Sequence, residues 1–142
     1  MIIKERHQNF HIGLKAFIDK DNSLLIVRES EKYKSGGKWE LPGGRINKDE
    51  VNQPLEKILK RELSEELGRS LKVKIGKLFS VWRRITHPDA KVFLVGFSCI
   101  YKNGDIKLSN EHINYAWIKA KEINKYKFVE GYKEQIIKYF KK

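Results

Sequence analysis

Residues 60–68 read KRELSEELG, a stretch that places Glu62, Glu65 and Glu66 within five positions. The rest of the chain is strongly basic, with 30 Lys and Arg against 18 Asp and Glu and a formal net charge of +12. Proline at position 54 suits the first turn of a helix and Gly68 suits its end, so we predict a helix over residues 54–67. A basic protein therefore gathers three carboxylates on one short helix, which calls for a physical explanation.

The apolar residues of this helix predict which way the glutamates face. At 100° per residue, one apolar stripe is formed by Leu55, Leu59, Leu63 and Leu67. Glu62 and Glu66 fall within or beside this stripe, whereas Glu65 lies four residues after Arg61 and can pair with it on a solvated face. We therefore expect Glu62 and Glu66 at the margin of the core, where an uncompensated charge is costly.

A divalent cation would compensate these carboxylates. Glutamate oxygens with a backbone carbonyl and water form the kind of site that Mg²⁺ or Mn²⁺ prefers. Glycines just before the helix allow the backbone to approach closely enough to add that carbonyl. The predicted metal ligands are Glu62, Glu65 and Glu66 with Gly43 or Gly44. From the helix alone, a solvated face on which neighbouring lysines and Arg61 neutralise the glutamates stays open as the alternative.

The remaining sequence alternates predicted strands and helices. Strands are predicted at residues 10–18, 23–30, 70–85, 91–101 and 114–120. A glycine-rich loop covers residues 31–53, and apolar positions in VEGYKEQIIKYFKK (129–142) predict a final helix. This order favours an α/β fold, an α/β/α sandwich with a mixed β-sheet between helices, in one domain of residues 1–142.

The loop and the glutamate helix together resemble the Nudix box, G-x5-E-x7-R-E-U-x-E-E-x-G-U, where U is a bulky aliphatic residue. Gly44 is followed by five residues and Glu50, and residues 61–68 read RELSEELG. WELPGG (39–44) is a common Nudix lead-in, and the similarity extends to the strands before it and to HINYAWIKAKEI (112–123). Two departures are a three-residue insertion between Glu50 and Arg61 and an arginine, Arg69, at the last aliphatic position.

The resemblance implies a Nudix-type sandwich and a metal-dependent hydrolase that cleaves a nucleoside diphosphate linked to another group. It implies Mg²⁺ or Mn²⁺ held by the three glutamates and a glycine carbonyl, with Arg61 as an orienting residue paired with Glu50. The insertion puts that pairing in question. The substrate class stays open among nucleoside triphosphates, nucleotide sugars, ADP-ribose and dinucleoside polyphosphates. GGRINKDE (43–50) and FSVW (79–82) are similar to the corresponding parts of GDP-mannose mannosyl hydrolases.

Candidate substrate contacts lie outside the glutamate helix. Arg28, at the end of the second strand, and Arg45, after the glycines, can bind phosphate. The rings of Trp82, Trp39 and Tyr33 can stack on a base or belong to the core.

The general base is not settled by the sequence. A box glutamate or Glu111, in the segment SNEHIN (109–114), can serve, and His87 and His112 are weaker candidates.

The lysines are spread along the whole chain rather than clustered, which favours solvated surfaces over a nucleic-acid interface. No apolar run approaches the ~20 residues that span a bilayer, the first residues do not resemble a signal peptide, and Cys99 lies in an apolar run. We expect a cytoplasmic protein with a small nucleotide-type substrate, no membrane partner and no nucleic-acid partner, and a homodimer stays open. The alternative function is a non-catalytic Nudix-fold module that binds a nucleotide or RNA.

Overall fold

The computed structural model describes residues 6–32, 36–87 and 89–142, so Tyr33 lies outside the described residues. The strands are β1 (His11–Lys20), β2 (Ser23–Glu29), β3 (Trp39–Glu40), β4 (Gly43–Arg45), β5 (Lys72–Arg84), β6 (Val92–Asn103) and β7 (His112–Ile118). The helices are α1 (Leu55–Leu67) and α2 (Tyr132–Lys141), with 3₁₀ turns at Lys48–Glu50 and Ala120–Lys125. None of the helices in these ranges combines the length and the apolar character that a membrane crossing requires.

The described strands form one mixed sheet. Its main path is β3-β2-β1-β6-β5, with β4 paired to β1 and β7 paired to β2. The parallel pair is β1 with β6, and the other pairs are antiparallel. The mixed sheet predicted from the sequence is confirmed.

Alternate residues of β1 face opposite sides of the sheet, and one helix covers each side. Ala16 and Ile18 belong to the apolar cluster that contains Leu59 of α1, whereas Phe17 belongs to the cluster that contains Ile136 of α2. Burying both faces of β1 in this way confirms the α/β/α sandwich.

The glycine-rich loop contains more regular structure than the sequence predicted. β3, β4 and a 3₁₀ turn all lie within residues 31–53. Segments of two or three residues are too short to show the period-two pattern from which strands are predicted. The strand predicted at 91–101 also ends later than expected, because β6 continues to Asn103.

The apolar stripe predicted for α1 is confirmed except at its first position. Leu59 is fully buried, as is Leu67, and Leu63 is 6% exposed. Leu55 is 44% exposed, which corrects its predicted place in the core. It is the first helical residue and follows the exposed turn at 51–54, so it lies outside the contact between the helix and the sheet.

Leu55 and Leu59 allow a matched test of this packing. We expect Leu59→Ala to lower the free energy of unfolding by about 2–5 kcal/mol, because it leaves a cavity between α1 and the sheet. Leu55→Ala should cost less than about 1 kcal/mol, since its side chain is half exposed. Urea unfolding of both variants measures the difference, and equal losses would contradict this placement of α1.

Candidate active site

The glutamates of α1 lie in two different environments. Glu62 is 8% exposed and Glu66 is 3% exposed, whereas Glu65 is on the surface. Burial raises the pKa of Glu66 well above its ordinary value and also raises that of Glu62. The expectation that Glu62 and Glu66 lie at the core margin is confirmed, and both carboxylates need compensation to remain ionised there.

Gly43 and Gly44 bring the backbone of β4 directly against these carboxylates. Gly43 has a φ of 136°, and a Cβ there would lie 1.9 Å from the carbonyl oxygen of Leu14. A Cβ at Gly44 would lie 2.2 Å from Oε2 of Glu62. The N–H of Gly43 donates to Oε2 of Glu66 at 3.1 Å. Gly43 therefore permits a close approach of β4 to β1, and Gly44 permits the contact of β4 with Glu62 of α1.

Arg61 joins α1 to the 3₁₀ turn before it. Its Nε donates to Oε2 of Glu50 at 2.7 Å, and its Nη2 donates to the other oxygen of the same carboxylate. Nη2 also contacts Oε1 of Glu62 at 2.6 Å, and Nη1 donates to Glu65 at 3.0 Å. The hydrogen bonds from Arg61 lower the pKa of Glu50, and the backbone N–H of Asn47 adds to this effect. The predicted pairing of Arg61 with Glu50 is therefore present in the structure.

The three-residue insertion does not disturb that pairing. Residues 51–53 are exposed, and Val51 is 67% exposed. The N–H of Gln53 donates to the carbonyl of Glu50 at 3.0 Å, which closes a turn directly after the glutamate. The additional residues thus extend into solvent while Glu50 stays beside α1.

Gly43 and Gly44, at the start of β4, are called the glycine turn below. Lys15 of β1 lies next to this turn and is buried. Its Nζ donates to Oε1 of Glu40 at 3.0 Å and to the carbonyls of Leu41 and Gly43 at 3.2 and 3.3 Å. Burial is the largest single effect and disfavours the ammonium, but Glu40, Tyr132 and Glu66 together outweigh it and raise the pKa of Lys15. Burial is likewise the largest single effect on the Glu40 carboxylate and disfavours it, but Lys15 and His112 together outweigh it and lower the pKa of Glu40 to about 2. The two side chains form a buried ion pair.

His112, at the start of β7, lies between Glu40 and Glu66. Its Nε2 is 3.1 Å from Oε2 of Glu40, and its Nδ1 is 3.4 Å from Oε1 of Glu66. Neither this Nδ1 nor this Oε1 has a hydrogen-bond partner among the described residues, and both are buried. A neutral imidazole that donates from Nε2 presents a lone pair to Glu66. A proton or a cation at Oε1 of Glu66 would satisfy this oxygen.

The structure brings two of the three predicted metal ligands to the glycine turn. Across residues 6–32, 36–87 and 89–142, no three His, Cys, Asp or Glu side chains are grouped closely enough to hold a metal ion. Glu65 pairs with Arg61 at the helix surface instead. Glu62 and Glu66 nevertheless fit a divalent cation, because they supply hard oxygen ligands and one buried oxygen of Glu66 has no hydrogen-bond partner among the described residues.

A cavity of about 200 Å³ opens beside this network. Lys15, Arg45 and Arg84 line it, together with His87 and Glu111. Cationic groups and a carboxylate around one cavity suit a phosphate-bearing molecule and a base for its reaction.

Two predicted substrate contacts lie elsewhere. Arg28 donates from Nε to the carbonyl of Gly37 at 3.0 Å and does not line the cavity. Trp82 is 7% exposed, and its ring packs against Phe17 and Tyr132 at centroid distances of 6.0 and 5.3 Å. Neither residue is placed for the expected contact with substrate, because Nε of Arg28 donates to a loop carbonyl and the ring of Trp82 packs in the core. Trp39 likewise packs against another ring, that of Tyr126.

Sequence reasoning missed Lys15, Glu40 and Arg84. A lysine inside the apolar run IGLKAFI (12–18) was the available signal, because a charge on a central strand is rarely buried without a partner. Nothing local in the sequence identified that partner as Glu40. Arg84 lies near the end of the strand predicted at 70–85, a position where a charged side chain is commonly exposed to solvent.

A model of the NUDIX domain matches residues 10–140. The chain belongs to the Nudix family. It is 32% identical over 115 residues to the nucleoside triphosphatase NudI of Klebsiella pneumoniae (strain 342), covering 72% of this chain and 77% of that protein. To the protein of the same name from Escherichia coli O81 (strain ED1a) it is 30% identical over 122 residues, covering 77% and 82%.

Solved structures show the same architecture. A MutT protein from Methanosarcina mazei Go1 superposes with a TM-score of 0.78 at 27% identity, covering 96% of both chains. A Streptococcus suis 89-1591 ADP-ribose pyrophosphatase shares the fold, with a TM-score of 0.69 at 20% identity over 94% of this chain and 91% of that one. The interpretation of the chain as a Nudix pyrophosphohydrolase is confirmed.

The buried ion pair predicts a large effect on stability. Lys15→Met leaves Glu40 buried without its cation, so we expect a loss of about 3–5 kcal/mol in the free energy of unfolding at neutral pH. The double variant Lys15→Met/Glu40→Gln should recover part of this loss, since it removes the uncompensated charge. Lys60→Met is the control, because its pair with Glu56 is exposed. Chemical denaturation measures all three variants, and a double variant no more stable than Lys15→Met would contradict the ion pair.

The lowered pKa of Glu40 also predicts a loss of stability in acid. Its pKa of about 2 in the folded protein lies below the ordinary value of 4.5. Its contribution is therefore present above about pH 4.5 and is lost as the pH falls from there towards 2. Unfolding at a series of pH values should show a shallower acid loss in Glu40→Gln than in the unsubstituted protein, and identical slopes would count against this role.

Proposed function

We propose that the protein hydrolyses a phosphoric anhydride bond of a nucleoside triphosphate with the help of Mg²⁺ or Mn²⁺. The observation that carries the proposal is the buried carboxylate of Glu66, which has one oxygen on the Gly43 amide and one without a hydrogen-bond partner among the described residues, 3.4 Å from Nδ1 of His112. A divalent cation satisfies this oxygen and offsets the burial of the charge. Nucleotide sugars, ADP-ribose and dinucleoside polyphosphates are the alternative substrates.

The proposed metal ligands are Glu62, Glu65 and Glu66 with a carbonyl of Gly43 or Gly44. Glu65 joins them by giving up its exposed pair with Arg61, which is a weak interaction in water. When bound, the metal polarises phosphoryl oxygens and lowers the pKa of a water nucleophile. Arg61 orients the site by holding Glu50 and Glu62 together, since its Nη2 contacts both carboxylates.

Glu111 is the proposed general base. It lines the cavity and is exposed, so its carboxylate is accessible to a water molecule that enters from solvent. A box glutamate is the other candidate for this role. His112 is a poorer base, because it is buried between Glu40 and Glu66. We assign His112 and Lys15 to positioning these carboxylates.

The substrate class rests on the cavity and on the relatives. Arg45 and Arg84 at the cavity suit the phosphates of a small molecule. The relatives that carry the name nucleoside triphosphatase favour a triphosphate over the other options. A cavity of about 200 Å³ suits part of a nucleotide better than a nucleic-acid strand, so we propose no nucleic-acid partner. One domain over residues 1–142, a cytoplasmic location and a homodimer stay predictions of the sequence.

Turnover tests the proposal directly. Purified protein with Mg²⁺ or Mn²⁺ is incubated with nucleoside triphosphates, nucleotide sugars, ADP-ribose and dinucleoside polyphosphates, and released phosphate is measured with and without added phosphatase. We expect hydrolysis of triphosphates that a chelator abolishes. Glu66→Gln should lower kcat by at least about a hundredfold, because it removes a metal ligand, and Glu65→Gln should also lower it.

Glu56→Gln is the matched control on the same helix, since Glu56 is exposed and lies far from the glycine turn along α1. Undiminished turnover in Glu66→Gln would contradict the proposed site. Absence of turnover across the whole panel, with nucleotide or RNA still bound, would instead support the non-catalytic binding module.

A further inference from the structure

One carboxylate oxygen holds the segment that follows β5. Oε1 of Glu130 accepts hydrogen bonds from the N–H of Ile85 and the N–H of Thr86, each at 3.1 Å, and from the hydroxyl of Thr86 at 2.6 Å. These hydrogen bonds, above all the one from the hydroxyl, lower the pKa of Glu130. A charged acceptor with three donors fixes a short segment strongly for a surface position.

This segment carries side chains into the cavity of the active site. Arg84 comes just before the two held residues and His87 just after them, and both line the cavity with Arg45 of β4. Burial lowers the pKa of His87, and the charges of Arg84 and Arg45 lower it further. Arg45 is held in turn by His11, with Nη1 2.9 Å from Nδ1. We call Arg45, Arg84 and His87 the basic wall.

The basic wall has no part in the metal chemistry proposed above. Its nitrogen donors suit an anion, whereas the carboxylates of α1 suit a cation. A pyrophosphate substrate would require both, because a divalent cation held by these carboxylates would compensate part of its negative charge and the rest would need other partners.

We propose that Glu130 is a positioning residue that holds Arg84 and His87 in the basic wall, and that this wall binds an anionic group of the substrate away from the cleaved bond. The inference rests on the proposed function in taking a phosphate-bearing substrate. Glu130 acts on substrate binding indirectly. Its carboxylate fixes the backbone amides of two residues, and the residues on either side, Arg84 and His87, supply the hydrogen-bond donors to the substrate. Loss of Glu130 should therefore weaken substrate binding more than it slows the chemical step.

The test compares Glu130→Ala with Glu134→Ala, an exposed glutamate one turn along in α2. For a nucleoside triphosphate we expect KM to rise on the order of tenfold in Glu130→Ala with kcat within about twofold, because a hydrogen-bonded anchor of the binding wall is lost. The dissociation constant for inorganic tripolyphosphate, measured by calorimetry, should rise by a similar factor. Thr86→Val removes one of the three donors and should give a smaller rise, and Glu134→Ala should change neither quantity.

A double-variant cycle separates positioning from simple loss of stability. In a His87→Ala background, Glu130→Ala should raise KM less than it does alone, since part of what Glu130 positions is already absent. Unchanged KM and tripolyphosphate affinity with a lower Tm would show a purely structural role and overturn the inference, as would failure of the unsubstituted protein to bind tripolyphosphate. Binding that depends on Glu130 without any turnover would support the basic wall while contradicting the proposed hydrolysis.

Discussion

Lys15 occupies a central strand, and its ammonium holds together three segments of the site. It pairs with Glu40 of β3 and also binds the carbonyls of Leu41 and Gly43, so β1, β3 and the start of β4 meet at one charge. This contact fixes the glycine turn, where the N–H of Gly43 donates a hydrogen bond to Glu66 of α1. Both members of the ion pair are charged and buried, so removing either one is costly. The pair therefore holds the turn in one position.

The charges around the glycine turn are arranged for two kinds of ligand. On the α1 side, Glu62 and Glu66 present buried carboxylates that a divalent cation can compensate. The cavity beside the glycine turn is lined by basic side chains from β4, β5 and the following segment, which suit phosphate. A metal and a polyphosphate bound together would neutralise each other as well as the protein groups. Under the proposed function, this reciprocity accounts for the carboxylates that a strongly basic chain places at its core margin.

The sequence predicted most of the fold and the central part of the candidate site, for identifiable reasons. The period of the leucines in α1 placed Glu62 and Glu66 correctly, because helical geometry depends only on local spacing. The contact of Arg61 with Glu50 was harder to predict, since an inserted turn lies between them and only the structure shows it extending into solvent. Lys15 and Glu40 lie 25 residues apart in the chain, and no local pattern pairs them. Trp82 was predicted as a substrate contact but lies in the core. A ring on a strand suits either role, and tertiary packing decides between them.

Direct binding of Mn²⁺ tests the central claim, that the buried carboxylate of Glu66 holds a divalent cation. Electron paramagnetic resonance of free Mn²⁺ during a titration gives the affinity of the unsubstituted protein, of Glu66→Gln and of the exposed control Glu56→Gln. We expect saturable binding that weakens at least on the order of tenfold in Glu66→Gln and stays unchanged in Glu56→Gln. Equal Mn²⁺ affinity in all three proteins would contradict it.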